Sequence, residues 1–180
     1  MDNFMIGQFG FFDKDKQKKD YREEFYGIEA CLLDSDEDIN LLQREAKEQG
    51  VNIGIHFPLR AGVFPHRDPL FLELDSATRR EAFASIEEEL NYIDDRDINP
   101  RYILFHYPKP VIISEQFDMD RWRFYKDSEY ALETEYPREK FVEYSQELFF
   151  FFYKKSREYD FIPVLELDAI NKYISQTRLL

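Results

Sequence analysis

The sequence predicts an α/β fold, a parallel sheet of the (β/α) barrel type, incomplete, with about five strand-helix units in a single domain over residues 1–180. Three observations lead there. Short apolar runs occupy residues 4–10, 26–33, 51–59, 102–107 and 161–167, and four of them are rich in the β-branched and aromatic residues that strands favour. Helical periodicity fills most of the gaps, and strands alternating with helices imply parallel pairing with right-handed crossovers. No GxGxxG or GxxxxGK[ST] follows any strand, so the dinucleotide and P-loop forms of the open sheet lose support and the barrel gains it.

After the first run, residues 13–24 are charged and only loosely periodic, which reads as a solvated face and leaves the first crossover weak. Beyond the second run, Ser35 or Asp36 can cap a helix reaching about Gln49, with Ile39, Leu42 and Ala46 on one face and Gly50 as its stop. The third run ends at Leu59 and opens a long rim loop, residues 60–74. Ser76 can then cap a helix in which Phe83, Ile86, Leu90 and Ile93 recur at helical spacing while Glu87, Glu88 and Glu89 face water. The fourth run leads into residues 111–136, too long for an ordinary connection and read as a lid, a surface excursion or an oligomer contact. Pro137 suits a first helical turn, and Phe141, Leu148, Phe149 and Phe152 follow, the 149–152 cluster reading as core. After the fifth run Asp168 can cap a further helix.

Two segments are near copies, Ile53-Gly54-Ile55-His56-Phe57-Pro58 and Ile103-Leu104-Phe105-His106-Tyr107-Pro108, and each ends a strand in His-aromatic-Pro. The fifth run, Val164-Leu165-Glu166-Leu167-Asp168, also ends in ionisable groups. The C-terminal rim of a parallel sheet is where loops converge and active sites form, so His56, His106 and Glu166 become candidates together. Alternate strand residues face opposite sides. One parity carries Gln8, Glu29, Cys31, Gly54, His56, Leu104, His106, Val164, Glu166 and Asp168, which suits a barrel interior with a polar upper end. The other carries Ile28, Ala30, Ile53, Ile55, Phe57, Ile103, Phe105, Leu165 and Leu167, which suits a helix layer.

A carboxylate with two imidazoles is a donor set for zinc or manganese, and a divalent metal polarises a carbonyl or hydroxyl while a nearby carboxylate or imidazole moves the adjacent proton. Glu29, costly to bury unpaired in an apolar strand, is the second carboxylate of such a site and a substrate-binding candidate. His66, with Arg60 and Arg67, and separately Lys109, have the chemistry to bind a phosphate.

Tyr26-Gly27-Ile28-Glu29-Ala30, the strand-ending His56 and His106, and Val164-Leu165-Glu166-Leu167-Asp168 together resemble the xylose isomerase-like TIM barrel superfamily of sugar isomerases, sugar phosphate epimerases and apurinic-site endonucleases. The resemblance implies that Glu166 is a divalent-metal ligand and that His56 and His106 bind metal or contact substrate. It also implies a metal-dependent sugar or sugar phosphate isomerase/epimerase that transfers a proton next to a carbonyl, with Glu166 and His106 as catalytic groups and Glu29, His56 and Lys109 as substrate-binding groups. Eight strand-helix units take about 250 residues, so five runs in 180 residues set the expectation of a partial barrel lacking its C-terminal part. Its exposed edges would be covered by homo-oligomerisation or left open. A non-catalytic partial barrel binding a sugar or a partner chain is the alternative.

Composition narrows the class. With 24 Lys+Arg against 37 Asp+Glu the formal charge is −13, which disfavours nucleic acid as a partner and with it the endonuclease-like phosphodiester hydrolase. The 43% hydrophobic and 17% aromatic content is enough for one sizeable core. Cys31 is the only cysteine, so no intrachain disulfide forms, and it reads as a small buried side chain. The aromatic run over residues 148–153 is far shorter than the ~20 residues of a membrane span, and the N-terminus lacks a signal-peptide pattern. The expectation is a cytoplasmic protein without a membrane partner.

Overall fold

The computed structural model describes residues 4–64, 68–107, 117–118, 123–124 and 137–167. Five strands, β1 (Met5–Phe9), β2 (Gly27–Cys31), β3 (Asn52–His56), β4 (Pro100–Tyr107) and β7 (Ile162–Leu167), form one all-parallel sheet in the order β1-β2-β3-β4-β7. Four fall within an apolar run of the sequence, and β4 starts two residues before its run at 102. The sheet is open among the described residues, with β1 and β7 at its edges. Between the strands lie α1 (Lys14–Asp20), α2 (Asp36–Gln49), α3 (Ser76–Asp95) and α4 (Arg138–Glu158). A separate antiparallel pair, β5 (Phe117–Asp118) and β6 (Arg123–Phe124), lies within the long stretch after β4. The remainder of that stretch, and with it the lid reading, falls outside the described residues. No described helix is long and apolar enough to cross a membrane.

Helix ends follow local chemistry. The Ser35 side chain accepts from the Asp38 N–H while Gly50, at φ 67°, closes α2 in the left-handed region that glycine enters without strain. At α3 the cap is Asp75, one residue before the expected Ser76, and its carboxylate accepts from the Thr78 N–H at 2.8 Å. A carboxylate oxygen that accepts from the first turn, and a negative charge at a helix N-terminus, make aspartate an effective cap. The charged segment after β1 does form a helix, α1, capped by Asp13, and its one buried residue is Gln17.

The core lies on one side of the sheet. Ile6, Ile28, Ala30, Ile55, Ile103 and Phe105 pack against Ile39, Leu42 and Ala46 of α2, Ile86, Leu90 and Ile93 of α3, and Phe141, Leu148 and Phe152 of α4. The strand parity that suits a helix layer is therefore the one that faces the helices. Gln8 is an exception to the expected assignment. Register pairs it with Ala30, placing it on the helix side, where its amide donates to the Gln17 side chain at 3.1 Å and accepts from the Asp13 N–H at 2.9 Å. A buried amide on that side is tolerated because these bonds satisfy it. The aromatic cluster of α4 is also divided: Phe152 is core, whereas Phe149 and Phe150 are exposed, since consecutive helical residues turn through different faces.

Glu89 corrects a second expectation. It is wholly buried rather than facing water, because residues 82, 86, 89, 90 and 93 share the inner face of α3. Its carboxylate accepts from the Arg60 backbone N–H at 3.0 Å and from Arg60 Nε at 2.6 Å. The Arg60 guanidinium stacks over Tyr92, 4.0 Å from the ring centroid. Arg60 thus clamps the β3–α3 connection.

Removing one partner of such a buried pair leaves the other uncompensated, so Glu89→Ala is expected to cost about 3–5 kcal/mol in urea denaturation. Burial pushes the Glu89 carboxyl above the ordinary 4.5 despite Arg60. The folded protein then holds a proton that the unfolded chain releases, so this contribution is complete below pH 4.5 and is lost as pH rises through the elevated folded value. The uncharged Glu89→Gln is expected to lack that downward slope in a pH series of denaturation midpoints.

Candidate metal centre

Parallel register brings the two histidine-ending strands and β7 side by side. Residue pairing sets His56 opposite Leu104 and His106 opposite Glu166, so the three candidate side chains rise from adjacent strands on the face away from the helices. His56 Nε2 and His106 Nε2 lie 2.6 Å apart, and Glu166 Oε2 is 3.9 Å from the first and 3.6 Å from the second. One donor atom from each of the three falls within 4.8 Å of the others. Among the described residues this is the one cluster of His, Cys, Asp and Glu able to hold a metal ion.

The surroundings grade from core to solvent. His106 is buried, His56 is half-buried and Glu166 is exposed, so the cluster opens on the β7 side. Two ring N–H groups do not face each other at 2.6 Å, so at least one imidazole presents its Nε2 lone pair to the centre. Three protein donors of N and O type make the cluster a possible site for a metal ion.

Behind each imidazole stands a carboxylate. Glu29 Oε1 lies 3.7 Å from His56 Nδ1, and Asp68 Oδ1 lies 3.4 Å from His106 Nδ1. The Tyr102 hydroxyl donates a short hydrogen bond to Glu29 Oε2. The nearby His56 imidazole holds the Glu29 carboxyl below its ordinary value, assisted by Tyr102 and opposed by burial. Burial, reinforced by Glu29, pushes the Tyr102 phenol well up, so it keeps the proton that it donates.

Tyr102 reaches Glu29 because of Gly54. The three residues form one row, Glu29 paired with Gly54 and Gly54 with Tyr102, so the phenol crosses β3 to a strand about 10 Å from its own. A Cβ on Gly54 would sit 2.5 Å from Tyr102 Cζ and 2.7 Å from its hydroxyl oxygen. Glycine is the residue that leaves the ring its path.

Of the residues expected from sequence, His56, His106, Glu166 and Glu29 come together. Glu29 meets His56 and Tyr102 there. Lys109, His66, Arg67 and Asp168 lie outside the described residues. Cys31 is buried at the end of β2. Asp68 and Tyr102 were not anticipated. Tyr102 had a legible signal, since it shares the parity of His106 and faces a glycine, whereas Asp68 sits in a connection whose path the sequence does not specify.

Gly54→Ala is expected to destabilise the fold by about 1–3 kcal/mol through overpacking against the Tyr102 ring. The double variant Gly54→Ala/Tyr102→Ala should cost less than the two single changes summed, a non-additivity that chemical denaturation of the four proteins would measure.

Comparison with protein-family models, curated proteins and solved structures returned no match to this chain.

Proposed function

We propose that the protein is a metal-dependent sugar or sugar phosphate isomerase/epimerase, with zinc or manganese held by His56, His106 and Glu166 and the parallel sheet forming part of a TIM barrel of the xylose isomerase-like kind. The observation that carries this reading is the convergence of two imidazoles and one carboxylate at the C-terminal ends of three adjacent parallel strands. Sites with this placement use loops for substrate contact and strand ends for chemistry. A divalent ion bound there would polarise a carbonyl or hydroxyl of the sugar.

The chain's own groups fit the remaining tasks. Glu166 is the exposed member of the cluster, so its carboxylate is the group an incoming substrate meets, and a carboxylate is suited to moving the proton on the carbon next to a carbonyl. His106, in contact with both Glu166 and Asp68, is the buried counterpart that would hold the ion through Nε2, since a nitrogen whose lone pair binds a metal does not also take up a proton. Glu29, engaged by Tyr102 and facing His56, supports the site from behind and takes the place of the substrate contact first expected of it.

A thermal melt with Mn²⁺, Zn²⁺ or EDTA tests the metal reading. Metal at about 100 times its Kd is expected to raise Tm by about 5–10 °C, and Glu166→Ala to abolish the rise. Turnover of pentoses, hexoses and their phosphates is then expected to require metal and to fall in Glu166→Ala and His106→Ala. Activity that survives both substitutions would refute the assignment.

A further inference from the structure

The geometry points to Glu29 and Asp68 as positioning residues that fix His56 and His106 in one tautomer, with the proton on Nδ1 and the lone pair of each Nε2 turned to a shared ion. This inference rests on the metal-centre reading and adds to it the groups that prepare the ligands. An ionised carboxylate only accepts hydrogen bonds, so an imidazole nitrogen facing it is favoured as N–H. Here Nδ1 is the nitrogen that faces a carboxylate in both rings, Glu29 at 3.7 Å and Asp68 at 3.4 Å. The opposite nitrogen of both rings faces the other imidazole and Glu166.

The two supports come from different parts of the fold. Glu29 rises from the middle of β2 and is held by the Tyr102 hydroxyl across Gly54. Asp68 belongs to the connection between β3 and α3, a connection anchored by the Arg60–Glu89 pair and by the buried Leu70, Phe71 and Leu72. With both protons on Nδ1, two nitrogen lone pairs and the Glu166 carboxylate converge on one point, and at 2.6 Å a shared proton or a cation lies between the two Nε2 atoms. Metal-bound histidines commonly have such an outer carboxylate, and losing it weakens metal binding by about 10–100-fold. A carboxamide, unlike a carboxylate, can donate to Nδ1 and so favours the opposite tautomer.

Long-range ¹H–¹⁵N spectra of the metal-free imidazoles at about pH 8, above the ordinary histidine range, read the tautomer directly, and titration with Zn²⁺ alone reads affinity. The expected result is Nδ1–H for His56 and His106 in the wild type. Glu29→Gln is expected to shift His56, and Asp68→Asn to shift His106, toward Nε2–H. Each is expected to weaken Zn²⁺ binding about 10–100-fold while far-UV circular dichroism stays unchanged. Tyr102→Phe, which keeps the ring and removes the donor to Glu29, is expected to weaken Zn²⁺ binding less than Glu29→Gln. Wild-type imidazoles that lack the Nδ1 proton, or variants that keep both Nδ1–H and affinity, would overturn the inference. A wild type that binds no Zn²⁺ yet shows carboxylate-dependent Nδ1–H rings would overturn the metal centre while sustaining the positioning role. If one variant fails to fold, the other variant and the wild-type spectrum still decide.

Discussion

The parallel register of β3, β4 and β7 is the constraint on which the rest of the site depends. A strand has two faces, and a one-residue slip exchanges them. Here the register that buries Ile55, Ile103 and Phe105 beneath the helices is the same register that lifts His56, His106 and Glu166 to the opposite face. Burying the three apolar side chains fully favours that register by several kcal/mol relative to exposure, at about 1.5–3 kcal/mol each. The hydrophobic core therefore selects the geometry of the polar cluster without any contribution from the cluster itself.

The register is not uniform, and its break matters. Between β3 and β4 the pairing shifts at Ile53 and Gly54, so Ile53 stands opposite Pro100 while Gly54 stands opposite Tyr102. A shift of this kind re-aims the residues beyond it. It sets Tyr102 beside Gly54, in line with Glu29, and it leaves His106 one alternate position further along its strand than the residue opposite His56. The histidines accordingly meet by their Nε2 atoms across a diagonal, with ring centroids 4.8 Å apart and planes tilted by 54°. Glycine at 54 and tyrosine at 102 belong to one arrangement, since a side chain at the first would close the path of the second.

Much of this was legible in the residues. Apolar runs located every strand of the main sheet, and the repeated His-aromatic-Pro endings identified the two imidazoles before any geometry was known. Three features were not legible, each for a physical reason. Parity within an isolated strand has no absolute origin until a partner fixes it, which is why Gln8 was placed on the wrong face. A seven-residue helix with one buried side chain, and that side chain a glutamine, carries almost no hydrophobic period, so α1 read as a solvated face. Glu89 read as solvent-facing because it belongs to a run of three glutamates, although its spacing from Ile86 and Ile93 puts it on the inner face; its partner Arg60 lies on another element and supplies no local signal. Asp68 shows the same limit, for contacts made by a connecting loop depend on where the loop travels.

The electrostatics of the cluster follow from this assembly. Glu29, Asp68 and Glu166 bring three carboxylates around two imidazoles, and the Tyr102 phenol, its titration pushed well up, adds a proton donor and no charge. Two like charges about 4 Å apart repel by about 4 kcal/mol at an effective dielectric constant near 20. Such repulsion is supportable in a folded protein when cations or donors offset it. Arg60, the arginine closest in sequence to His56, is turned away to Glu89 and Tyr92 and so does not neutralise the cluster. The Tyr102 hydrogen bond on Glu29 and the two carboxylate–imidazole contacts thus stand behind a cluster whose own donor atoms converge, the feature that makes it able to hold a metal ion.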